Sequence, residues 1–213
     1  MKVGIIGSGI VGQVLAYAFK SEGHDVVLGT RNPDKKELGD FKSDHPSIPV
    51  ATFEQTAAKA ELIVLATAGT AVEEAIRMAG LHNFNDKVVI DTTNPLEHQP
   101  PVNGVLKFFT DINNSLMERI QQLIPDARLV KAFNSVGNAL MYKPVLSATP
   151  TMFICGNDEK AKTTVTKILD SFGWETEDMG QVEAARAIEP LCILWCIPGF
   201  LHNRWSHAFK LLK

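Results

Sequence analysis

Lys2-Val3-Gly4-Ile5-Ile6 reads as a buried strand and runs directly into Gly7-Ser8-Gly9-Ile10-Val11-Gly12, after which an apolar helical pattern begins. The order strand, G-x-G-x-x-G, helix admits few architectures. Gly7 permits a tight strand-to-helix turn, Gly9 lets the backbone come close to an anion, and Gly12 lets the helix pack tightly on the strand. The unpaired amides at the start of that helix, reinforced by its macrodipole, suit a pyrophosphate. Three glycines are entropically costly in a turn that holds nothing. The expected ligand is therefore a dinucleotide.

Short apolar runs alternate with helix-like segments along most of the chain, the pattern of a parallel sheet covered by helices. Strands are expected at Lys2–Ile6, Val26–Gly29, Pro49–Ala51, Leu62–Ala66, Val88–Asp91, Arg128–Ala132, Thr151–Cys155 and Glu175–Glu177. Helices are expected at Gly12–Ser21, Phe53–Lys59, Thr70–Ala79, Ser115–Leu123, Val136–Met141 and Glu159–Phe172. Glu97 to Thr110, with Pro100, Pro101, Asn103 and Gly104, reads as a long loop over the sheet edge. After Gly180 the alternation stops. The expected fold is α/β, a Rossmann-like doubly wound and mainly parallel sheet over residues 1–180. A short C-terminal helical tail over residues 181–213, broken at Pro190 and Pro198-Gly199, would serve as a substrate slot, a dimer contact or both.

The rest of the composition narrows the class. With 213 residues, 45% hydrophobic and 21% charged, the chain can build a sizeable core. A net charge of −3 without a basic run offers no footprint for nucleic acid or an anionic membrane. Cys155, Cys192 and Cys196 are odd in number and lack C-x-x-C spacing, which argues for thiols in a reducing cytoplasm over a disulfide framework. The apolar N-terminus with Ala16-Tyr17-Ala18 resembles a signal peptide, but cleavage there would discard the glycine turn. The 11-residue apolar run Leu191 to Leu201 falls short of the roughly 20 residues needed to cross a bilayer, so no membrane span is expected.

The residue type at the end of the second strand decides between cofactors. An acid about 20 residues past the glycines would take the ribose 2′-hydroxyl of NAD. Here Thr30-Arg31-Asn32 stands in that place. The planar fork of Arg31 suits a 2′-phosphate, with a hydroxyl from Thr30 and charge from Lys35 or Lys36. NADP is the expected cofactor.

Four segments together resemble a known family, the NADP oxidoreductases dependent on coenzyme F420, whose dinucleotide domain also occurs in certain membrane ferric reductases. They are Gly7-Ser8-Gly9-Ile10-Val11-Gly12, Gly29-Thr30-Arg31-Asn32-Pro33, Asp91-Thr92-Thr93-Asn94-Pro95 and Lys131-Ala132-Phe133-Asn134. The resemblance runs to about residue 180. It implies that Ala66-Thr67-Ala68 lies along the cofactor, and that Asn94-Pro95 and Phe133-Asn134 lie near its nicotinamide. It further implies a second substrate of deazaflavin type, with a flavin, quinone or small carbonyl left open. The Cys192–Leu201 run, with Trp195 and Phe200, would supply an apolar slot for such a ring. Arg186, Arg204, Lys210 and Lys213 would meet an acidic tail on it.

Hydride transfer between ring systems needs alignment and exclusion of water more than an acid or base. None of the six histidines has zinc-helix spacing, and no metal site is expected; His98 and His202 stand out only by position. Cys192 and Cys196 are read as buried thiols, Asp178 and Glu189 as helix-end charges. Trp195, Phe200 and Trp205 are read as core or subunit interface with cofactor stacking as the rival, and for the tail an acceptor slot and a homodimer contact together are favoured. A non-catalytic NADP-binding sensor is the rival reading. An imine reductase of the pyrroline-5-carboxylate type shares the N-terminal motif, but about 33 residues after Gly180 are few for its dimerisation domain.

Overall fold

The computed structural model describes residues 1–213. Strands β1 (Lys2–Ile6), β2 (Asp25–Thr30), β3 (Val50–Thr52), β4 (Leu62–Leu65), β5 (Val88–Asp91) and β6 (Arg128–Lys131) form one parallel sheet in the order β3-β2-β1-β4-β5-β6. The order reverses between β1 and β4. This is the Rossmann arrangement, with its ligand crevice outside the carboxyl ends of those two strands. Leu62-Ile63-Val64-Leu65 is buried throughout, as a central strand covered on both faces must be. Alternate residues serve opposite faces: Leu62 and Val64 join one core, Ile63 and Leu65 the other.

Helices α1 (Ile10–Ser21), α2 (Gly39–Asp44) and α6 (Glu159–Ser171) fill the first face through Leu15, Phe19, Phe41, Val165 and Leu169. Helices α3 (Phe53–Lys59), α4 (Gly69–Ala79) and α5 (Leu116–Leu123) fill the second through Phe53, Val72, Ile76 and Ile120. The α5 start carries a capping box, with Ser115 accepting from the Glu118 amide and Glu118 reaching back to Ser115. Arg186 grips the same carboxylate at 2.5 and 3.0 Å. That grip and the Ser115 bonds outweigh burial and hold the Glu118 pKa down at about 2, from 4.5. A depressed acid stabilises the fold above its unfolded pKa and ceases to do so as pH falls through its folded one. Between pH 4.5 and 2 the urea midpoint should therefore fall, and Glu118→Gln should flatten that limb while lowering stability at pH 7.

Several expectations are corrected. The strands β7 (Thr151–Ile154) and β8 (Glu175–Asp178) pair with each other and do not extend the six-stranded sheet. One antiparallel bridge, Lys131 to Cys155, ties them to β6. The expected helix Val136–Met141 shrinks to a single 3-10 turn at Asn138–Leu140, because Gly137 is extended, with φ −73° and ψ 150°, and so ends any helix that would begin at Val136. The α2 helix was not expected from the sequence. The tail breaks at Pro190 as expected, between α7 (Ala185–Ile188) and α8 (Leu191–His202), but not at Pro198-Gly199, where α8 continues through the proline.

The tail then turns back at Asn203 and packs along its own helix. Trp195 Nε1 donates to the His207 carbonyl at 2.7 Å, and the His207 ring stacks on Trp195 with centroids 5.0 Å apart. The Thr151 amide donates to the Phe209 carbonyl at 2.9 Å. Trp195 is thus a core residue of its own chain, 7% exposed. The exposed apolar residues of this helix are Leu194, Phe200 and Leu201, with Leu201 against Gly104 of the long loop. By length and composition, Val182–His202 is long and apolar enough to cross a membrane. In this fold its Glu189 and Trp195 are buried against the sheet.

Candidate functional site

A cleft of about 230 Å³ opens at the reversal between β1 and β4. Gly7, Ser8 and Gly9 line it on one side, Thr30, Arg31 and Lys35 at one end, and Ala66, Thr67 and Ala68 on the other side. The glycine turn explains how backbone can form such a wall. Gly7 has φ +127°, and a side chain there would strike the Ala66 carbonyl. A side chain on Gly12 would strike the Gly7 carbonyl, so α1 could not seat so close to the turn. Gly9 differs: it is extended, and a Cβ built on it meets nothing within 4 Å. The space it leaves lies in the cleft.

Two helices point their first amides into this region, and both lack caps. The α1 N-cap is Gly9 and the α4 N-cap is Ala68; neither offers a side-chain bond, and neither first turn carries an acid. Helices α3, α5 and α6 by contrast fill their starts with Thr52, Ser115 and Asp158. Helix starts left unsatisfied beside a cleft suit an anionic ligand. At the far end Arg31 and Lys35 supply charge, and the Ser8 and Thr30 hydroxyls lie 3.0 Å apart. The Thr67 hydroxyl is buried with no partner. A pyrophosphate against Gly9 and the α1 amides, with a 2′-phosphate at Arg31, satisfies this donor set. The residues present therefore fit NADP.

Other expected residues fall outside the cleft. Ile10 and Val11 form the first turn of α1, with Ile10 exposed. The Asn32 side chain caps its own loop by accepting from the Asp34 amide, and Lys36 starts a surface 3-10 turn. Asn94, Pro95 and Asn134 form a second group at the ends of β5 and β6. There Asn94 Nδ2 donates to the Asn134 carbonyl at 2.8 Å, and Asn134 Nδ2 donates to Asn94 Oδ1 at 3.2 Å. The Asn94 carbonyl abuts Gly69, which joins this group to the start of α4. Phe133 belongs to it by backbone alone. With φ +63° it turns its ring into the core, 5.9 Å from Phe172, and it does not face a nicotinamide.

Sequence reasoning missed Phe53, Ala71, Glu74, Ala75 and Met78, which complete the cleft. It also missed a buried ionic cluster behind the asparagines. Lys131 Nζ lies 2.6 Å from Asp91 Oδ2, 2.9 Å from Glu189 Oε1 and 2.9 Å from the Thr93 carbonyl, so all three ammonium protons have acceptors. Burial disfavours that ammonium, yet the two carboxylates outweigh it and raise its pKa. Glu189 also accepts from the Leu116 and Met117 amides at the start of α5, each at 3.0 Å. Glu189 is therefore no simple helix-end charge. The register pairs Asp91 with Lys131 on neighbouring strands, and that was the available signal.

The thiols take no part in this geometry. Burial pushes Cys155 up to about 12, and Cys192 rises through its bond to Cys196 and its burial.

Comparison with known proteins places this geometry in context. Residues 2–95 match the family described as NADP oxidoreductase, coenzyme F420-dependent. A proposed F420-dependent NADP-reductase from Arthrobacter sp. FB24, solved at 1.70 Å, superposes with a TM-score of 0.94 at 32% identity over the whole of both chains. Metalloreductase STEAP3 of Rattus norvegicus is 30% identical over 94% of this chain. The chain spans 39% of that relative's length. The F420-dependent NADP reductase of Methanocaldococcus jannaschii is 23% identical over 90% of this chain and 89% of its own.

Proposed function

Because the chain belongs to the coenzyme F420-dependent NADP oxidoreductases, we propose that it moves a hydride between NADPH and a planar ring acceptor of deazaflavin or flavin type. The observation that carries this reading is the cleft: an uncapped glycine turn at one side and a basic end without the ribose-binding acid. When bound, NADPH supplies a hydride from its nicotinamide, and the acceptor takes it up with a proton. Arg31, Lys35 and Thr30 hold the 2′-phosphate, and Gly9 with the first amides of α1 holds the pyrophosphate. Ala66, Thr67 and Ala68 form the wall along which the cofactor runs toward Asn94 and Asn134. Orientation with water exclusion is the protein's contribution.

The long loop and the outer face of α8 supply the apolar surface for the acceptor through Leu201 and Phe200. The bases of the tail are mostly engaged already: Arg186 pairs with Glu118, Lys210 with Glu175 and Lys213 with Glu177. Recognition therefore rests on the ring and not on a polyanionic tail. The same exposed face suits a second copy of the chain, and light scattering of a Leu194→Glu variant tests that directly.

NADPH oxidation with F420, FMN, quinones and ferric complexes as acceptors tests the reading; turnover with none of the ring acceptors would overturn it. Arg31→Ala should weaken NADPH binding by about 1.5–3 kcal/mol, the value of a hydrogen bond to a charged group, and leave NADH unchanged. Equal losses for both cofactors in calorimetry would remove the 2′-phosphate from Arg31.

A further inference from the structure

The cofactor cleft is built mostly from groups that welcome negative charge: the glycine turn, the uncapped starts of α1 and α4, Arg31, Lys35 and the hydroxyls of Ser8 and Thr30. One carboxylate stands among them. Glu74 lines the same cleft and is exposed. No cation or hydrogen-bond donor of the chain engages it, although Arg77 lies three residues further along its own helix. An acid beside a polyanion opposes binding through its charge, unless the ligand brings it a donor. Ala71, Ala75 and Met78 recur with Glu74 at helical spacing, so one stripe of α4 forms a wall of the cleft. Phe53, at the start of α3, lines it too. Apart from Glu74 these side chains offer no hydrogen bond to a ligand, and they suit the flat face of an apolar ring. Met78 is a large apolar side chain left exposed there.

We propose that Glu74 reads the base of the cofactor: its carboxylate accepts a hydrogen bond from the 6-amino group of adenine, while the α4 stripe and Phe53 take the ring. This rests on the reading above that Arg31 holds the 2′-phosphate. The covalent structure of NADP supplies the link. Its 2′-phosphate and its adenine hang from adjacent carbons of one ribose, so a phosphate at Arg31 brings the base alongside, within the same cleft. The 6-amino group is the one N–H donor on that ring once it is joined to ribose. A base with a carbonyl at this position would turn an acceptor toward the carboxylate, with no proton between them. The acid thus acts by repulsion as well as attraction, and it selects adenine.

The test compares two ligands on the full chain by calorimetry: NADP and nicotinamide hypoxanthine dinucleotide phosphate, which carries a carbonyl in place of the 6-amino group. The native protein should prefer NADP about tenfold, the low end for a hydrogen bond to a charged group in a cleft open to solvent. Glu74→Gln keeps the size, removes the charge and can donate to a carbonyl, so it should bring the ratio close to one, mainly by tighter binding of the hypoxanthine cofactor. Because Glu74 is exposed and unpaired, the substitution does not threaten the fold. Arg31→Ala should weaken both ligands by the same factor and leave their ratio near ten. A native ratio of one overturns the base reading. If Glu74→Gln tightens both ligands equally, the acid is a surface charge and no more, and the role is overturned. If it weakens both equally, the carboxylate meets a ribose hydroxyl common to the two, which overturns it as well. Where Arg31→Ala weakens both ligands and the native ratio is one, Glu74 alone is misassigned. Where Arg31→Ala changes neither affinity, the 2′-phosphate is misplaced and the assignment of Glu74 falls with it.

Discussion

Gly9→Val should lose detectable NADPH and NADH binding while keeping the native fold. Gly9 is extended, with φ −74° and ψ −178°, a conformation open to any residue, and its built Cβ has no neighbour within 4 Å. Valine therefore fits the folded chain at a cost below about 1 kcal/mol, the scale of an N-cap change. The branched side chain would instead fill the space over the α1 amides where a pyrophosphate must come. Loss of that approach removes several hydrogen bonds to a charged group at about 1.5–3 kcal/mol each, beyond a hundredfold in affinity together. Gly12→Val is the contrasting control, because its side chain would strike the Gly7 carbonyl and should disrupt the turn itself. Calorimetry and thermal melts of the two variants separate ligand from fold. A folded Gly9→Val chain that bound NADPH normally would place the pyrophosphate elsewhere.

Lys131→Met should be the most destabilising single change outside the glycine turn. It leaves Asp91 and Glu189 with side chains 0% and 3% exposed and no cation between them. Breaking a buried pair in this way costs about 3–5 kcal/mol, which denaturant unfolding measures directly. The pH dependence carries a second signature. In the native protein the raised Lys131 pKa gives stability that is complete below the lysine's unfolded value and fades only as pH rises through the higher folded one. In Lys131→Met that alkaline loss should be absent. A variant with native stability and an unchanged alkaline limb would show the cluster to be dispensable.

The parallel sheet was legible because its strands are short and continuously apolar, as with Leu62-Ile63-Val64-Leu65, and because the helices between them are punctuated by glycines and caps. The adenosine end of the cleft was legible for a chemical reason: Gly7, Gly9 and Thr30-Arg31 are residue types whose function depends on local backbone. The departure of β7 and β8 from the main sheet was not legible, since Thr151–Ile154 carries the same apolar pattern as a central strand. Nor was the burial of Trp195 legible, since its partners lie far away in sequence or beyond a turn of the tail. The Trp195 ring packs at Gly137, whose missing side chain leaves room for it, so the tail is anchored within its own chain. Glu189, lodged between Ile188 and Pro190, gave no local sign that its carboxylate reaches α5 and Lys131.

The two ends of the site are assembled from very different spans of chain. The adenosine end is complete within residues 7 to 78. The asparagine end depends on bonds between residues 54 and 73 positions apart, from Asn134 to Ile188 and from Leu116 to Glu189. Loop closure makes such distant pairings the slower ones to form. During refolding, the ability to bind a 2′,5′-phosphorylated adenosine should therefore return before the burial of Trp195 in the tail is complete, which its fluorescence follows. The chain acquires its grip on the cofactor's phosphates before its C-terminal tail is locked in place.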